Sequence, residues 1–457
     1  MGGPAPLPPH YRLLRGLAQI VLDIFYRRIE VVGTERLPAR GPLIITANHQ
    51  NALVDPLLLI AAIPRRLVPL AKAPLFRLPV IGALARWAGA IPVERPQDAP
   101  GQPVDNEAMF AQAVARLRQD EAILIFPEGL SQPDPKLMPL RTGAARLLLQ
   151  AAAATGGPVT LVPVGLVYHE PGAFRLGRAW VLIGEPVPTA DCVFLHAREP
   201  EAAARQLTER LAQALRVRIV EAEDRDTLRL LAILKAMGRP ARRRTPRHAW
   251  PGCSAPCAAT GRSVTSPPRA SRASAKEVER LAKDLELAGL TGLEPAGPST
   301  LRAAWRHALR EGASLLLGLP LAAWGIASHA LPYQATRLAV QALRPVPDVE
   351  ATSKILAGLL FYPLAWIAEG WLAWRLGGGW WLALFLVALL PAGFFALSWR
   401  ERMRRLSREA RGLLAFLAGG SLRRRLEARR RRILQELAEL ARLLPESAPD
   451  GEVAERP

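Results

Sequence analysis

Cysteine is scarce in this chain: its 457 residues contain only Cys192, Cys253 and Cys257. Three thiols cannot build a disulfide framework, which favours a reducing compartment. Cys253 and Cys257 form a lone Cys-x3-Cys in a Pro/Arg-rich stretch. With no second ligand pair beside them, no metal site is expected. A secretory leader is also lacking, because the Pro-rich N-terminus offers only Leu17–Phe25, a short apolar run broken by Gln19 and Asp23. Acidic residues are missing where basic ones gather. Residues 238–275 hold eight Arg and no acid and residues 400–432 hold thirteen Arg and three Glu, so these two segments carry +8 and +10 of the net +20. The remainder is near neutral and does not interleave basic with aromatic side chains. Both facts oppose a nucleic-acid partner.

The C-terminal basic segment adjoins apolar ones. Ile355–Trp374 and Trp380–Trp399 are each about twenty residues long, enough to cross a bilayer as helix. Arg375-Leu-Gly-Gly-Gly379 between them reads as a tight turn. Trp366, Trp371, Trp374, Trp380, Trp381 and Trp399 lie towards segment ends, as an interfacial aromatic belt requires. Arg400, Arg402, Arg404 and Arg405 follow at once, which predicts a multi-pass membrane protein with its catalytic domain on the cytoplasmic face. A further stretch, Ser314–Tyr333, interrupted by Pro320, His329 and Pro332, is a possible third span, but a two-span hairpin with this stretch re-entrant or interfacial satisfies the charge rule better. Tyr11–Arg28 has an amphipathic pattern that suits either a membrane surface or an ordinary packing contact.

Residues 29–222 read as one α/β domain. Ile29–Gly33, Leu43–Ala47, Ala122–Pro127 and Val159–Val167 have strand character, and Pro56–Ala62, Asp105–Arg118 and Thr142–Thr155 have helical character. Asp105 is the expected N-cap of the second helix, and Gly156-Gly157 closes the third. Alternating strands and helices predict a mainly parallel sheet flanked by helices, followed by a C-terminal helical membrane hairpin. Glu201–Ala222 should be a long amphipathic helix. The predicted organisation is thus an N-terminal helix over 1–28, the α/β domain over 29–222, a linker region over 223–313, the membrane region over 314–399 and a basic helical tail over 400–457. The tail's arginines would attract anionic lipid headgroups. Within the linker, residues 238–275 lack hydrophobic periodicity. Two explanations fit that stretch, a disordered segment or a shifted reading frame.

Four short blocks carry the chemistry. They are Asn48-His49-(five residues)-Asp55-Pro56, then Gly89-Ala-Ile-Pro-Val-Glu-Arg95-Pro, then Phe126-Pro-Glu-Gly-Leu-Ser131 running on to Leu140-Arg141-Thr-Gly-Ala-Ala145, and finally Leu161-Val-Pro-Val-Gly165. A histidine with a carboxylate close behind it can take a proton from an alcohol. The set, in this order, resembles the phospholipid/glycerol acyltransferase family over about residues 29–190. The chain departs from the commoner pattern by placing five residues, not four, between His49 and Asp55. On a regular helix neither offset puts the two side chains on one face, since a separation of six turns the second by about 240°. They must therefore meet across a loop or a helix start. The longer spacing, and the run Asp55-Pro-Leu, look like the fungal-type glycerol-3-phosphate acyltransferases.

The resemblance implies an enzyme of phospholipid synthesis in the membrane that moves a fatty acyl group to a hydroxyl of glycerol-3-phosphate. The donor would be acyl-CoA or acyl carrier protein, used as substrate, with no cofactor. His49 would be the general base and Asp55 its orienting partner. Arg95 would bind the acceptor phosphate through its guanidinium fork, with Arg141 as a second candidate. Glu128 and Gly129 would position glycerol hydroxyls, and Val162–Gly165 would shape the core beneath. A lysophosphatidate (1-acylglycerol-3-phosphate) acceptor is the alternative within the same chemistry. A catalytically silent membrane protein that binds lipid is the alternative outside it.

Overall fold

Leu43–Ala47 is a run of five residues that are all buried, the pattern of a strand covered on both faces. It forms β2, at the middle of a seven-stranded sheet in the computed structural model of this chain. Residues 6–95, 98, 106–134, 136–169, 177–219, 290–291, 294–295, 301–417 and 428 are described. Residues 238–275 with Cys253 and Cys257, and most of the basic tail beyond 417, lie outside them. The described residues fall into two units, one made of 6–219 with 332–363, the other of 290–331 with 364–417 and 428.

In the first unit, α1 (Pro9–Phe25) leads into β1 (Arg28–Val32), β2 (Leu43–Ala47), α2 (Val54–Ala62), β3 (Leu67–Lys72), α3 (Pro79–Ala88) and β4 (Ile91–Val93). There follow α4 (Glu107–Arg118), β5 (Ala122–Ile125), α5 (Gly143–Thr155), β6 (Thr160–His169), β7 (Arg178–Ile183), α6 (Ala190–His196) and α7 (Pro200–Arg216). The strand order is β1-β7-β6-β2-β5-β3-β4. Every pairing is parallel except β6 with β7. The expected mainly parallel sheet flanked by helices is what forms.

Alternation along the strands sends side chains to two cores. Leu43, Ile45 and Ala47 join α1 and α2 on one face, and Ile44 with Ile123 and Leu161 joins α4, α5 and α7 on the other. On α1 the buried set is Tyr11, Leu14, Ala18, Leu22 and Phe25, a stripe at helical spacing. The helix therefore packs as an ordinary core element. Leu13, Leu17 and Ile20 on another side stay exposed.

Several sequence expectations shift here. The helix over 107–118 has Asn106, not Asp105, at its N-cap, and Asp105 lies outside the described residues. Asn106 makes no cap bond; it pairs with the backbone of Glu94 in both directions at 3.1 Å and so holds the exit of β4. The helix starting at Pro200 ends at Arg216, short of the expected Ala222. Strand β3 carries Pro69 inside it, which hides it from a pattern search because proline removes a ladder donor.

The helical region contains α8 (Leu301–Leu317), α9 (Leu319–Leu343) and α10 (Glu350–Leu417). Ser314–Tyr333 is not broken at His329 or Pro332, because α9 runs through both. The break falls at residue 318, between α8 and α9. Within α10 the backbone leaves helical geometry at Gly377 and Gly378, the latter at φ +68°, a region that glycine enters without a Cβ clash. Beyond that point the helix folds back, since a Cβ on Gly370 would lie 3.3–3.8 Å from Leu382 and Phe385. The turn expected over 375–379 is thus present. Two helical stretches, Trp305–Leu343 and Glu350–Arg411, are long and apolar enough to cross a membrane. In the second unit the Trp399 indole donates to the Leu315 carbonyl at 2.9 Å and His307 pairs with Glu409 at 3.1 Å. Gly325 lies against the Ala392 backbone, where any Cβ would collide.

Candidate active site

Three of the four sequence blocks lie at the carboxyl ends of parallel strands, the end at which open α/β sheets bind ligands. His49 follows β2, Arg95 follows β4, Phe126-Pro-Glu-Gly129 follows β5, and the fourth block lies within β6.

Asp55 sits in the first turn of α2, where the helix dipole favours an anion. Between it and His49 the chain turns sharply, and Ala52 takes a positive φ of 23°. This turn absorbs the sixth position of the offset, so the two side chains meet across the loop. His49 Nδ1 lies 2.8 Å from Asp55 Oδ2. The backbone N–H groups of Gln50 and Asn51 donate to the same oxygen at 2.7 and 2.8 Å. The Tyr168 hydroxyl donates to Asp55 Oδ1. Asp55 is fully buried, and four donors converge on its carboxylate. Burial first, then the neighbouring Asp55, pushes the Tyr168 phenol well above its usual pKa, so it remains a proton donor. Tyr26 is raised for the same two reasons, and its hydroxyl accepts from Asn51 Nδ2 at 3.0 Å.

The histidine ring is held from three sides. It stacks on Phe126 with centroids 4.1 Å apart. Its backbone N–H donates to Glu128 Oε1 at 2.8 Å, and its carbonyl accepts from the Gln132 N–H at 3.0 Å. Asn48 is pinned to Leu166 of β6 by two bonds, at 2.9 and 2.7 Å.

Glu128 has a different place from the one its motif suggests. Both carboxylate oxygens are engaged by backbone N–H groups, Oε1 by His49 and Oε2 by Met138 at 3.1 Å. The residue is buried and is absent from the cavity wall, while its neighbours Pro127, Gly129 and Leu130 line it. Burial raises its pKa to about 7 against the opposing pull of those two hydrogen bonds. Gly129 sits at φ +74°, with Arg141 packed so closely that a Cβ would meet its Nε at 2.8 Å. Arg95 donates to the Gly129 carbonyl, and its Nε and Nη2 hold both oxygens of Asp98 at 2.6 and 2.7 Å. The Arg95 guanidinium beside Asp98 holds that carboxyl below the usual range. The fork expected to take a phosphate is therefore paired with a carboxylate here.

His49, Arg95, Gly129 and Arg141 line one cavity of about 1300 Å³. Its remaining walls are largely apolar, with Leu57, Ile60, Leu84, Met109, Phe110 and Val114 among them. The sequence reading names His49, Arg95, Gly129 and Arg141, which share this cavity, and Asp55, which contacts His49. It passes over Tyr168, Asn48, Phe126 and Asp98 as functional partners. Asn48 and Phe126 stand inside the quoted blocks, and Tyr168 lies three residues beyond the fourth. The pairing of β2 with β5 brings Phe126 to His49, and its pairing with β6 brings Asn48 and Tyr168 to their partners.

Residues 28–167 match the family model described as Acyltransferase. By that match the segment resembles acyltransferase domains. The chain is similar to an uncharacterized acyltransferase of Schizosaccharomyces pombe, at 25% identity over 49% of this chain and 46% of that protein. It is 29% identical to a Bos taurus 1-acyl-sn-glycerol-3-phosphate acyltransferase alpha, over 39% of the chain and 60% of the relative. A Saccharomyces cerevisiae glycerol-3-phosphate O-acyltransferase is 30% identical, over 31% of the chain and 19% of the relative. The chain thus spans about half the length of the first two relatives and a fifth of the third. The matched segment supplies β1 to β5 and most of β6, with the His49 and Arg95 ends of the cavity.

Proposed function

We propose that this protein transfers a fatty acyl group from a thioester, acyl-CoA or acyl carrier protein, to a hydroxyl of glycerol-3-phosphate at a membrane. The observation that carries the reading is the His49–Asp55 contact at 2.8 Å on the wall of a large apolar cavity. With Nδ1–H donated to Asp55, Nε2 is the basic nitrogen. It takes the proton of the acceptor hydroxyl as the oxygen attacks the thioester carbonyl carbon. Collapse of the tetrahedral intermediate breaks the C–S bond, and the imidazolium returns the proton to the departing thiolate. Asp55 stabilises the imidazolium in between. No acyl-enzyme, metal or cofactor is called for.

Glu128 fits a positioning role, holding the His49 backbone, and not direct contact with glycerol. Arg95 and Arg141 stand at the cavity as the cations for the acceptor phosphate, Arg95 after exchanging Asp98 for it. The six-residue offset of His49 and Asp55, accommodated at Ala52, favours glycerol-3-phosphate, as does the similarity to the yeast glycerol-3-phosphate O-acyltransferase. The similarity to 1-acyl-sn-glycerol-3-phosphate acyltransferases makes lysophosphatidate the second acceptor to test. A membrane location is supported by the two long apolar helical stretches and by the exposed Leu13, Leu17 and Ile20 of α1. A hairpin over 355–399 would return Arg400–Arg405 to the side from which it left, the cytoplasmic side by the charge rule.

The test is thiol release in membranes carrying wild type or His49→Ala, with each donor and with each acceptor. Release that requires one acceptor and vanishes in His49→Ala establishes the transfer and names the substrate. Absence of acceptor-dependent release from folded wild-type protein would instead support a silent lipid-binding protein.

A further inference from the structure

The loop that carries His49 to Asp55 has its backbone N–H groups satisfied one by one, as buried amides require. Gln50 and Asn51 donate to Asp55, Ala52 to the Ser131 hydroxyl at 3.1 Å, and Val54 to the Asn51 carbonyl at 2.8 Å. Leu53, which sits at the N-cap of α2, finds its acceptor far along the chain. Its N–H donates at 3.2 Å to the Thr352 hydroxyl, 299 positions later in the chain. Thr352 is buried, Ala351 beside it is fully buried in the core that holds α1 and α2, and Ile355 packs against that core. Asp348, Val349 and Thr352 line the same cavity as His49. All of them lie outside residues 28–167, at or just before the first turn of the apolar helix α10.

We propose that the first turn of α10 is a built part of the active site, with Thr352 as a positioning residue that holds the start of α2, and so Asp55, against His49. The inference rests on the acyl-transfer reading for its kinetic consequence alone. The root of the apolar helix then also forms part of the cavity wall, so an acyl chain in the cavity lies within a helical turn of the first apolar residues, Ile355 onward.

The experiment uses the full chain in detergent, as wild type, Thr352→Val and Thr352→Ser. Hydrogen exchange is followed in the peptides covering residues 48–57, and turnover is measured with palmitoyl-CoA or palmitoyl acyl carrier protein as donor and glycerol-3-phosphate or lysophosphatidate as acceptor. Valine keeps the shape but removes the acceptor oxygen, and serine keeps the oxygen. The expected result is faster exchange at Leu53 and its neighbours in Thr352→Val, with Thr352→Ser close to wild type. Alongside it kcat should fall about tenfold in Thr352→Val with KM for the thioester little changed, since a small misplacement of a catalytic pair is costly. Equal exchange in all three proteins, or equal losses in valine and serine, would overturn the proposal. If the wild type transfers no acyl group, the function reading fails, and the exchange comparison still decides whether Thr352 holds the loop.

Discussion

At the His49 end of the cavity Asp55 is fully buried and takes four donors from two segments of the chain, two of them backbone. At the Arg95 end the side chains of Arg95 and Asp98 are 17% and 18% exposed, and the carboxylate comes from only three residues away. The first arrangement is permanent, because removing any donor leaves a buried charge short of a partner. The second is an ion pair formed within one short stretch of chain and still partly open to solvent, so a competing anion can reach it. Proton transfer needs preorganisation, so its groups are locked before substrate arrives. Anion binding needs turnover, and a carboxylate that can leave suits it.

The largest expected effect is at the locked end. His49→Ala should lower the turnover by about 10²–10⁴ with the fold retained by circular dichroism. Asp55→Asn should approach it, because an amide would turn an N–H₂ group towards backbone donors, and its melting temperature should fall as well. A mild Asp55→Asn phenotype would break the comparison. At the exchangeable end, Arg95→Lys should raise KM for the acceptor about tenfold while kcat changes little, since the fork geometry is lost but not the charge. Asp98→Ala should lower that KM by removing the internal competitor. A rise in KM would show instead that Asp98 helps to build the site. Tyr168→Phe should cost on the order of 1.5–3 kcal/mol of stability, the value of a hydrogen bond to a charged group, with a modest loss of turnover. Its effect should not vary between pH 6 and pH 9, because burial beside Asp55 keeps the phenol protonated above its usual range.

The smallest effect concerns Glu128. Its pKa is raised to about 7 in the fold, so the folded protein retains this proton while the unfolded chain loses it near 4.5. Its contribution is fully present below about pH 4.5 and is lost as pH rises through 7. Glu128→Gln does not titrate; it should melt below wild type at low pH, because its N–H₂ faces a backbone donor, and the gap should narrow as pH rises through that window. Parallel melting curves would remove the burial argument.

Much of the site was legible because its residues lie in short blocks at strand ends. The core strand Leu43–Ala47 and the helix ending before Gly156 follow from local apolar pattern and from glycine's left-handed cap, which neighbours along the chain decide. The turn at Gly377–Gly378 is local for the same reason. Strand β3 was hidden by Pro69, and helix α9 runs through Pro332 because packing overrides a single lost backbone bond.

By itself the sequence determined which side chains could do the chemistry, since residue type and the order of the four blocks are properties of the chain. It also determined the apolar helices, whose length and composition are local. The tertiary structure alone decided what each side chain faces. It turned Glu128 inwards to the His49 backbone, gave Asp98 to Arg95, and brought Tyr168 and Thr352 to the Asp55 corner from 113 and 299 positions away. Those contacts arise from strand order and from buried amides that must find acceptors, and neither is visible along a line of residues.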